Sequence, residues 1–268
     1  MLRNVPEIRD NINENPYHSE IQNDLKNIID GEKTNRTFST ARLRENVGRT
    51  CRKQEYLTGQ QCDSLEFLED LIESTHPDIK SLFQFKINRE RKFGINDQES
   101  GCQICGVVPS NSEQNDMVLK LEFPTSQHLF ESGMSLQHLV NEHFGIKCTE
   151  EENGLRCSNC CKHKTNDSHD IRLCKPQPFR TQEHITKHPR YLITQLMRFK
   201  QSQFGFEKIN MLVKNSGVIR IQETEYELVS IINHEGTFNN GHYTALIKSK
   251  YWYHCDDIIN RRVSDANV

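Results

Sequence analysis

Two short cysteine pairs constrain this chain more than any other feature of its sequence. Cys102-Gln103-Ile104-Cys105 and Cys157-Ser158-Asn159-Cys160 form two Cys-x-x-Cys knuckles, with 51 residues between Cys105 and Cys157. Four thiolates from two knuckles supply the tetrahedral sulfur environment that zinc prefers in structural sites. Such a clamp draws two distant segments together. The residues between them must loop out as an insertion with a strand and a helix of their own. Gly106 follows the first knuckle and suits a tight turn; Cys161 and Lys162 follow the second and suit one less well. Cys161 is an alternative fourth ligand if the second knuckle slips by one residue. Cys148 and Cys174 read as ordinary thiols. A closed four-sulfur site is structural, not catalytic.

The setting follows from the rest of the composition. Ten cysteines occur in 268 residues, and the N-terminal MLRNVPEIRD has no apolar stretch of the secretory kind. The expectation is a reducing compartment, cytoplasmic and/or nuclear, where close cysteine pairs mean metal. No run of about 18 apolar residues is present, so no membrane span is expected. The 34 basic and 37 acidic residues give a net charge of −3, which argues against a strongly basic nucleic-acid binder. The small basic patch Lys162-His163-Lys164 is diluted by Asp167 and Asp170. Hydrophobic residues make up only 34% and mean hydropathy is −0.76, so the core must be lean.

Periodicity places helices early and strands late, an α+β arrangement. Ser19 and Gln22 form a capping box for a helix over 19–31, with Ile21, Leu25 and Ile28 on one face. A short helix is expected near 40–47. Asp63 caps a helix over 63–74 carrying Leu65, Leu68, Leu71 and Ile72, and Pro77 stops it. Residues 82–123 read as extended, with a strand through Val118 to Phe123. Ser135 opens a third helix that buries Leu136, Leu139, Val140 and Phe144 and ends at Gly145. After Pro189, strands are expected over 191–199, 225–233, 242–248 and 251–255.

The last two strands carry a histidine and a pair of aspartates. A three-residue loop centred on Ser249 sets His242 opposite Asp256, and a two-residue Ser249-Lys250 loop sets it opposite Asp257. Either register puts an imidazole across from a carboxylate at about 5 Å between Cα atoms. That pairing fixes a tautomer and stabilises an imidazolium, as nucleophilic triads require; a plain surface ion pair is the alternative. Gly241 would let a substrate backbone approach closely.

These residues, taken with two further boxes, resemble the ubiquitin-specific protease family of cysteine deubiquitinases. Gln61-Cys62-Asp63-Ser64-Leu65-Glu66-Phe67-Leu68 is similar to its Gln-x-Asp-Ala/Ser-x-Glu-Phe-Leu box. Leu192 to Phe199 resembles its Leu-x-x-x-Leu-x-Arg-Phe strand. His234-Glu235-Gly236, Gly241-His242-Tyr243, Trp252 and Asp256-Asp257 match its C-terminal signature in order, and the two knuckles lie where the family carries its zinc-bearing fingers. The resemblance implies a papain-like thumb and palm with an antiparallel sheet and an inserted zinc-ribbon fingers region. It makes residues 1–268 a single catalytic domain: about 1–85 thumb, about 86–188 fingers, about 189–268 palm. It further implies ubiquitin or ubiquitin conjugates as partner, and thiol-dependent hydrolysis of the isopeptide bond after the terminal glycine of ubiquitin. His242 is then the general base, Asp256 its orienting residue, Asp257 a polar neighbour, and Cys102, Cys105, Cys157 and Cys160 the structural zinc ligands.

One family element is not matched. The box resembling Gly-Asn-Thr-Cys-Tyr-x-Asn-Ser, with the nucleophile and the oxyanion-hole asparagine, is not found; Leu2 to Arg9 resembles the segment that follows it. Thr50-Cys51 echoes Thr-Cys, and Arg49, Arg52 and Lys53 would favour its thiolate. It lies too close to the Gln-x-Asp box, however, and lacks an apolar helix start after it. Cys62 occupies a variable position of that box. The chain as written is therefore expected to hydrolyse ubiquitin conjugates at no more than background rate, and Leu2, Val5 and Ile8 are expected to be poorly covered. Two other readings stand beside the incomplete enzyme: a ubiquitin-binding pseudoenzyme and a zinc-ribbon interaction module.

Overall fold

A computed structural model describes residues 2, 5–14, 19–31, 40–96, 98, 100–124, 133–162, 175–203, 205–257 and 259–264. Among the described residues, six helices come first: α1 (Pro6–Glu14), α2 (Glu20–Gly31), α3 (Ala41–Cys51), α4 (Gln54–Thr58), α5 (Ser64–Glu73) and α6 (Pro77–Ser81). Their ends follow from local chemistry. Ser19 Oγ accepts from the Gln22 N–H at 3.2 Å, the serine half of the expected capping box. Asp63 Oδ1 accepts from the N–H groups of Leu65 and Glu66 at 2.7 and 3.3 Å, capping α5. Pro77, read as a stop, instead opens α6, because a residue without an N–H is tolerated in the first turn.

The helix over residues 6–14 was not anticipated. Pro6 presets its first turn, and Ile8 and Ile12 share a buried face one turn apart. That corrects the expectation of poor cover: Val5 is 4% exposed and Ile8 0%. Both join a core with Ile21, Leu25 and Ile29 of α2, Leu43 and Val47 of α3, and Leu68, Leu71 and Ile72 of α5. The buried stripe of α2 therefore runs to Ile29, four residues beyond Leu25, and the expected Ile28 is only partly covered. Glu7 ties α1 to the later chain, accepting from the Tyr191 hydroxyl at 2.6 Å and from Arg190 Nε at 3.1 Å.

The remainder is mostly sheet. β1 (Phe85–Phe93), β2 (Ser112–Asp116), β3 (Val118–Leu121) and β4 (Met134–Ser135) precede α7 (Leu136–Phe144). β5 (Lys147–Thr149), β6 (Leu155–Arg156), α8 (Ser158–Lys162), β7 (Pro176–Gln177) and β8 (Phe179–Lys187) follow. Ser135 Oγ accepts from the His138 N–H at 3.1 Å, so α7 starts where expected, and it buries Leu139 and Val140. One antiparallel sheet has the order β2-β1-β8-β5. Its base packs Phe85, Ile87 and Ile185 into a second core with Leu119, Leu121, Leu139 and Val140.

After β8 come β9 (Ile193–Leu196), β10 (Phe199–Ser202), β11 (Gly205–Lys208), β12 (Val213–Lys214), β13 (Val218–Ile221) and β14 (Thr224–Glu227). β15 (Ser230–Gly236), β16 (Gly241–Lys248), β17 (Trp252–Asp256) and β18 (Ile259–Val263) complete the chain as a four-stranded antiparallel meander in that order. The single strands expected over 191–199 and 225–233 are each split in two. In the first, Arg198 turns in and donates from Nη1 to the carbonyls of Ile209 and Met211 at 2.9 and 2.8 Å. β9 runs parallel to β3, joining the helical layer to the sheets. Among the described residues, no helix is long and apolar enough to cross a membrane. The architecture is the expected α+β fold, with its metal-like insertion carried on the long β1–β8 pair.

Candidate functional site

The first knuckle is a tight turn beyond β1. The Cys102 N–H donates to the Val107 carbonyl at 2.9 Å, and the Gly106 N–H to the Cys102 carbonyl at 2.8 Å. Gly106 has φ +70°, the left-handed conformation anticipated for it. The second knuckle needs no glycine because it is built on a helical turn: the Cys161 N–H donates to the Cys157 carbonyl at 3.0 Å. Phe93, 2% exposed, packs with Leu155 against three of the sulfurs.

The four sulfurs of Cys102, Cys105, Cys157 and Cys160 lie within 4.8 Å of one another, with Cys102–Cys160 at 3.7 Å and Cys105–Cys157 at 3.6 Å. A zinc–sulfur bond of about 2.3 Å implies sulfur–sulfur edges of about 3.8 Å in a regular tetrahedron. Those two edges match a zinc tetrahedron closely, and since no sulfur pair exceeds 4.8 Å the cluster has the dimensions to hold zinc after shifts of no more than about an ångström. Cys161, the alternative ligand, is outside the group and is disulfide-bonded. Cys148 is an exposed free thiol, and Cys174 lies outside the described residues.

Gln177 completes this site, and no sequence pattern pointed to it. Its Nε2 donates to Cys102 Sγ at 3.2 Å and its Oε1 accepts from the Gln103 N–H at 3.0 Å, while the residue is 5% exposed. Burial raises the Cys102 thiol, but the hydrogen bonds from Gln177 and the backbone outweigh it and bring the group down to about 6. Gly154 lets β7 approach this closely, since a Cβ there would meet the Gln177 carbonyl oxygen at 2.4 Å.

The second site lies on the C-terminal meander. β16 and β17 pair Lys248 with Trp252 and Ala245 with Cys255, so the loop is Ser249-Lys250-Tyr251, centred on Lys250. Neither anticipated register is adopted. Continuing the observed one sets Asp256 across from Thr244, with His242 two residues further along on the same face. A diagonal neighbour is within reach of a long side chain. His242 Nε2 lies 2.6 Å from Asp256 Oδ1. Asp257 has φ 49° and forms the turn into β18, a conformation aspartate tolerates, and its carboxylate joins the same group. The hydrogen bond to Asp256 raises the His242 pKa above its ordinary 6.5. With Nε2 so engaged, Nδ1 is the nitrogen free to accept a proton.

Gly241 has a different neighbour from the one expected. A Cβ there would sit 2.0 Å from His234 Nε2, so it is the His234 ring that occupies the space beside it. Burial first, and then the Lys208 cation, lower the His234 pKa. Lys208 donates to the His234 carbonyl at 2.6 Å. Phe206 of the β10–β11 hairpin stacks on Phe238 of the β15–β16 loop, with ring centres 4.3 Å apart. This aromatic contact also carried no sequence signal.

Neither cysteine weighed as a stand-in nucleophile joins the histidine. Cys51 packs against the helical core with its Sγ 3.5 Å from Ser74 Oγ. Two of the three cations expected around it face carboxylates instead: Lys53 pairs with Glu66 and Asp70 at 2.7 and 2.6 Å, and Arg49 with Glu45 at 3.3 Å. Cys62 Sγ lies 3.3 Å from the Gln60 carbonyl oxygen, and burial together with Glu55 pushes its thiol up. Among the described residues, no cysteine belongs to the His242–Asp256–Asp257 group.

Residues 1–268 match the family model for ubiquitin carboxyl-terminal hydrolases. The chain is similar to ubiquitin carboxyl-terminal hydrolase 22 of Bos taurus, 40% identical over 48 residues, 17% of this chain and 9% of that protein. It is similar to ubiquitin carboxyl-terminal hydrolase 27 of Homo sapiens, 38% identical over 48 residues, 17% of this chain and 11% of that one. The probable ubiquitin carboxyl-terminal hydrolase 4 of Schizosaccharomyces pombe is 38% identical over 95 residues, 30% of this chain and 16% of that protein. In fold it resembles a chain of the SAGA Ubp8/Sgf11/Sus1/Sgf73 DUB module bound to ubiquitin aldehyde: TM-score 0.72, 17% identity, 100% of this chain and 62% of that one. The same module bound to monoubiquitin gives a TM-score of 0.71 at 17% identity, covering 99% of this chain and 61% of that one. The matched segments thus cover no more than 16% of these curated relatives, and the chain spans about three fifths of the solved chains.

Proposed function

Since the chain belongs to the ubiquitin carboxyl-terminal hydrolase family, we propose that it is a ubiquitin-specific protease-like domain that binds ubiquitin and holds the general base of a cysteine deubiquitinase without its nucleophile. The observation that carries this reading is the 2.6 Å contact between His242 Nε2 and Asp256 Oδ1. Asp256 orients the ring and stabilises its protonated form, and Asp257 adds negative charge alongside. In the family reaction the imidazole takes the proton of a cysteine thiol, and the thiolate attacks the carbonyl after the terminal glycine of ubiquitin. The imidazolium then returns a proton to the leaving lysine amine. Among the described residues, no thiol stands beside His242 for this base to deprotonate.

In this reading the helical layer, about 1–85, is the thumb; about 86–188 forms the fingers; about 189–268 forms the palm. Cys102, Cys105, Cys157 and Cys160 hold a structural zinc that locks the end of the fingers, and the metal contributes folding free energy directly.

The test uses the 268-residue chain and a fluorogenic ubiquitin C-terminal substrate. Ubiquitin binding with turnover at background, unchanged in His242→Ala, is the expected result. Turnover lost in Cys51→Ala makes Cys51 the nucleophile and refutes the reading. Loss in His242→Ala alone points to another cysteine. Absence of ubiquitin binding leaves the zinc-ribbon module.

A further inference from the structure

The β2-β1-β8-β5 sheet treats its two faces differently. On one face three of the cations have partners. Lys86 pairs with Glu113 at 3.1 Å, Lys92 with Glu90 at 3.6 Å, and Arg180 donates to the Gly94 carbonyl at 3.5 Å. On the other face, Arg89, Arg91 and Lys147 line a half-open cavity of about 450 Å³ bounded by His143, Thr181, Glu183 and the 153–155 turn. Glu183 is the carboxylate of that lining. Arg89 pairs with Oε1, and His143 Nε2 lies 3.2 Å from Oε2. Register fixes the remaining two cations: Arg91 pairs with Thr181 across β1 and β8, and Thr181 with Lys147 across β8 and β5. Arg91 and Lys147 therefore flank Thr181 in one row, their Cα atoms about 10 Å apart at two strand spacings. Neither forms an ion pair among the described residues.

Two like charges facing one cavity repel, and an anion held between them relieves that repulsion. Long cationic side chains at this separation converge on a single oxyanion, and a guanidinium offers two parallel donors to it.

We propose that this cavity is a binding site for a phosphate-class dianion clamped between Arg91 and Lys147 above Thr181. The two sources of that chemistry are free inorganic phosphate and a phosphorylated side chain on a polypeptide. The volume favours the second, because it lies in the range of ligand pockets rather than of a single ion site. The site is separate from His242 and independent of the catalytic reading.

The test is to titrate the isotopically labelled 268-residue chain with inorganic phosphate, a phosphoserine peptide and its unphosphorylated twin at low ionic strength. Saturable amide shifts confined to residues 89–91, 145–155 and 179–183 are expected. Tighter binding of the phosphopeptide than of phosphate identifies the polypeptide source; equal or weaker binding identifies the free ion. Arg91→Gln and Lys147→Gln should each weaken binding about tenfold, the loss expected for one charge-assisted contact. Lys92→Gln on the opposite face should stay within twofold. All three are surface changes, and unchanged spectra away from the cavity report retained folding. No saturable response, undiminished binding in the Arg91→Gln/Lys147→Gln double variant, or an equal loss in Lys92→Gln each overturns the proposal.

Discussion

Replacing Gln177 with leucine isolates the contribution of one buried amide to the four-sulfur site. The side chain makes two hydrogen bonds, to Cys102 Sγ at 3.2 Å and from the Gln103 N–H at 3.0 Å. The second joins neutral groups and forms whether or not a metal is bound, so it affects folding more than metal affinity. The first donates to a thiolate and is strongest when that thiolate is charged. A hydrogen bond to a charged group contributes about 1.5–3 kcal/mol, which corresponds to a loss of about 10- to 150-fold in zinc affinity. That range matches the roughly 10- to 100-fold effects of removing hydrogen-bond partners from metal ligands elsewhere. Leucine keeps the approximate length and apolar bulk, so the Phe93–Leu155 packing survives. Competition for zinc against a chromophoric chelator at pH 7 gives the affinity, and far-UV circular dichroism confirms folding. A folded Gln177→Leu chain with zinc affinity within twofold of the parent would refute the argument.

Three further outcomes are expected. The His242 imidazole, followed by NMR, should titrate above pH 6.5, and Asp256→Asn should bring it down. The stability this pair adds is then present below pH 6.5 and lost as pH rises through the folded-state pKa. Leu121→Ala, at a position 0% exposed in the second core, should lower unfolding stability by about 2–5 kcal/mol in urea melts. Glu183, held near about 2 by His143 and Arg89 against the effect of burial, adds stability that is full above pH 4.5 and fades as pH falls toward 2. Glu183→Gln should cost on the order of 1–3 kcal/mol at pH 7, and the gap between the two chains should close in acid.

How much of this was legible in the residues depended on how local the cause was. The caps at Ser19, Asp63 and Ser135 act over three residues and read directly. Gly106 and the sulfur spacing of the knuckles did too, because metal geometry prescribes them. The His242–Asp256 approach was anticipated through the wrong register. Alternation by two keeps the same residues on the same face when a hairpin slips by two positions, so the juxtaposition survived the error. Pro77 was misread because proline ends one helix and begins another by the same missing donor. Gln177, the Phe206–Phe238 stack and the Arg91–Lys147 row were invisible for a common reason. Each depends on strands or loops brought together from far apart in sequence, and single glutamines, phenylalanines and lysines carry no spacing rule.

The two four-stranded sheets also differ in how far the chain must travel to build them. In the β15–β18 meander every strand pairs with its sequence neighbour, so each step closes only a short loop. In the other sheet Lys92 must find Arg180, and Cys148 must find the same residue from within the intervening segment. Loop-closure entropy rises with separation, and chains rich in local contacts fold faster. The strands that bring His242 to Asp256 can therefore assemble early and from nearby material. The sheet that carries the sulfurs waits for a long-range encounter, one that a metal ion gripping both knuckles would make far less reversible.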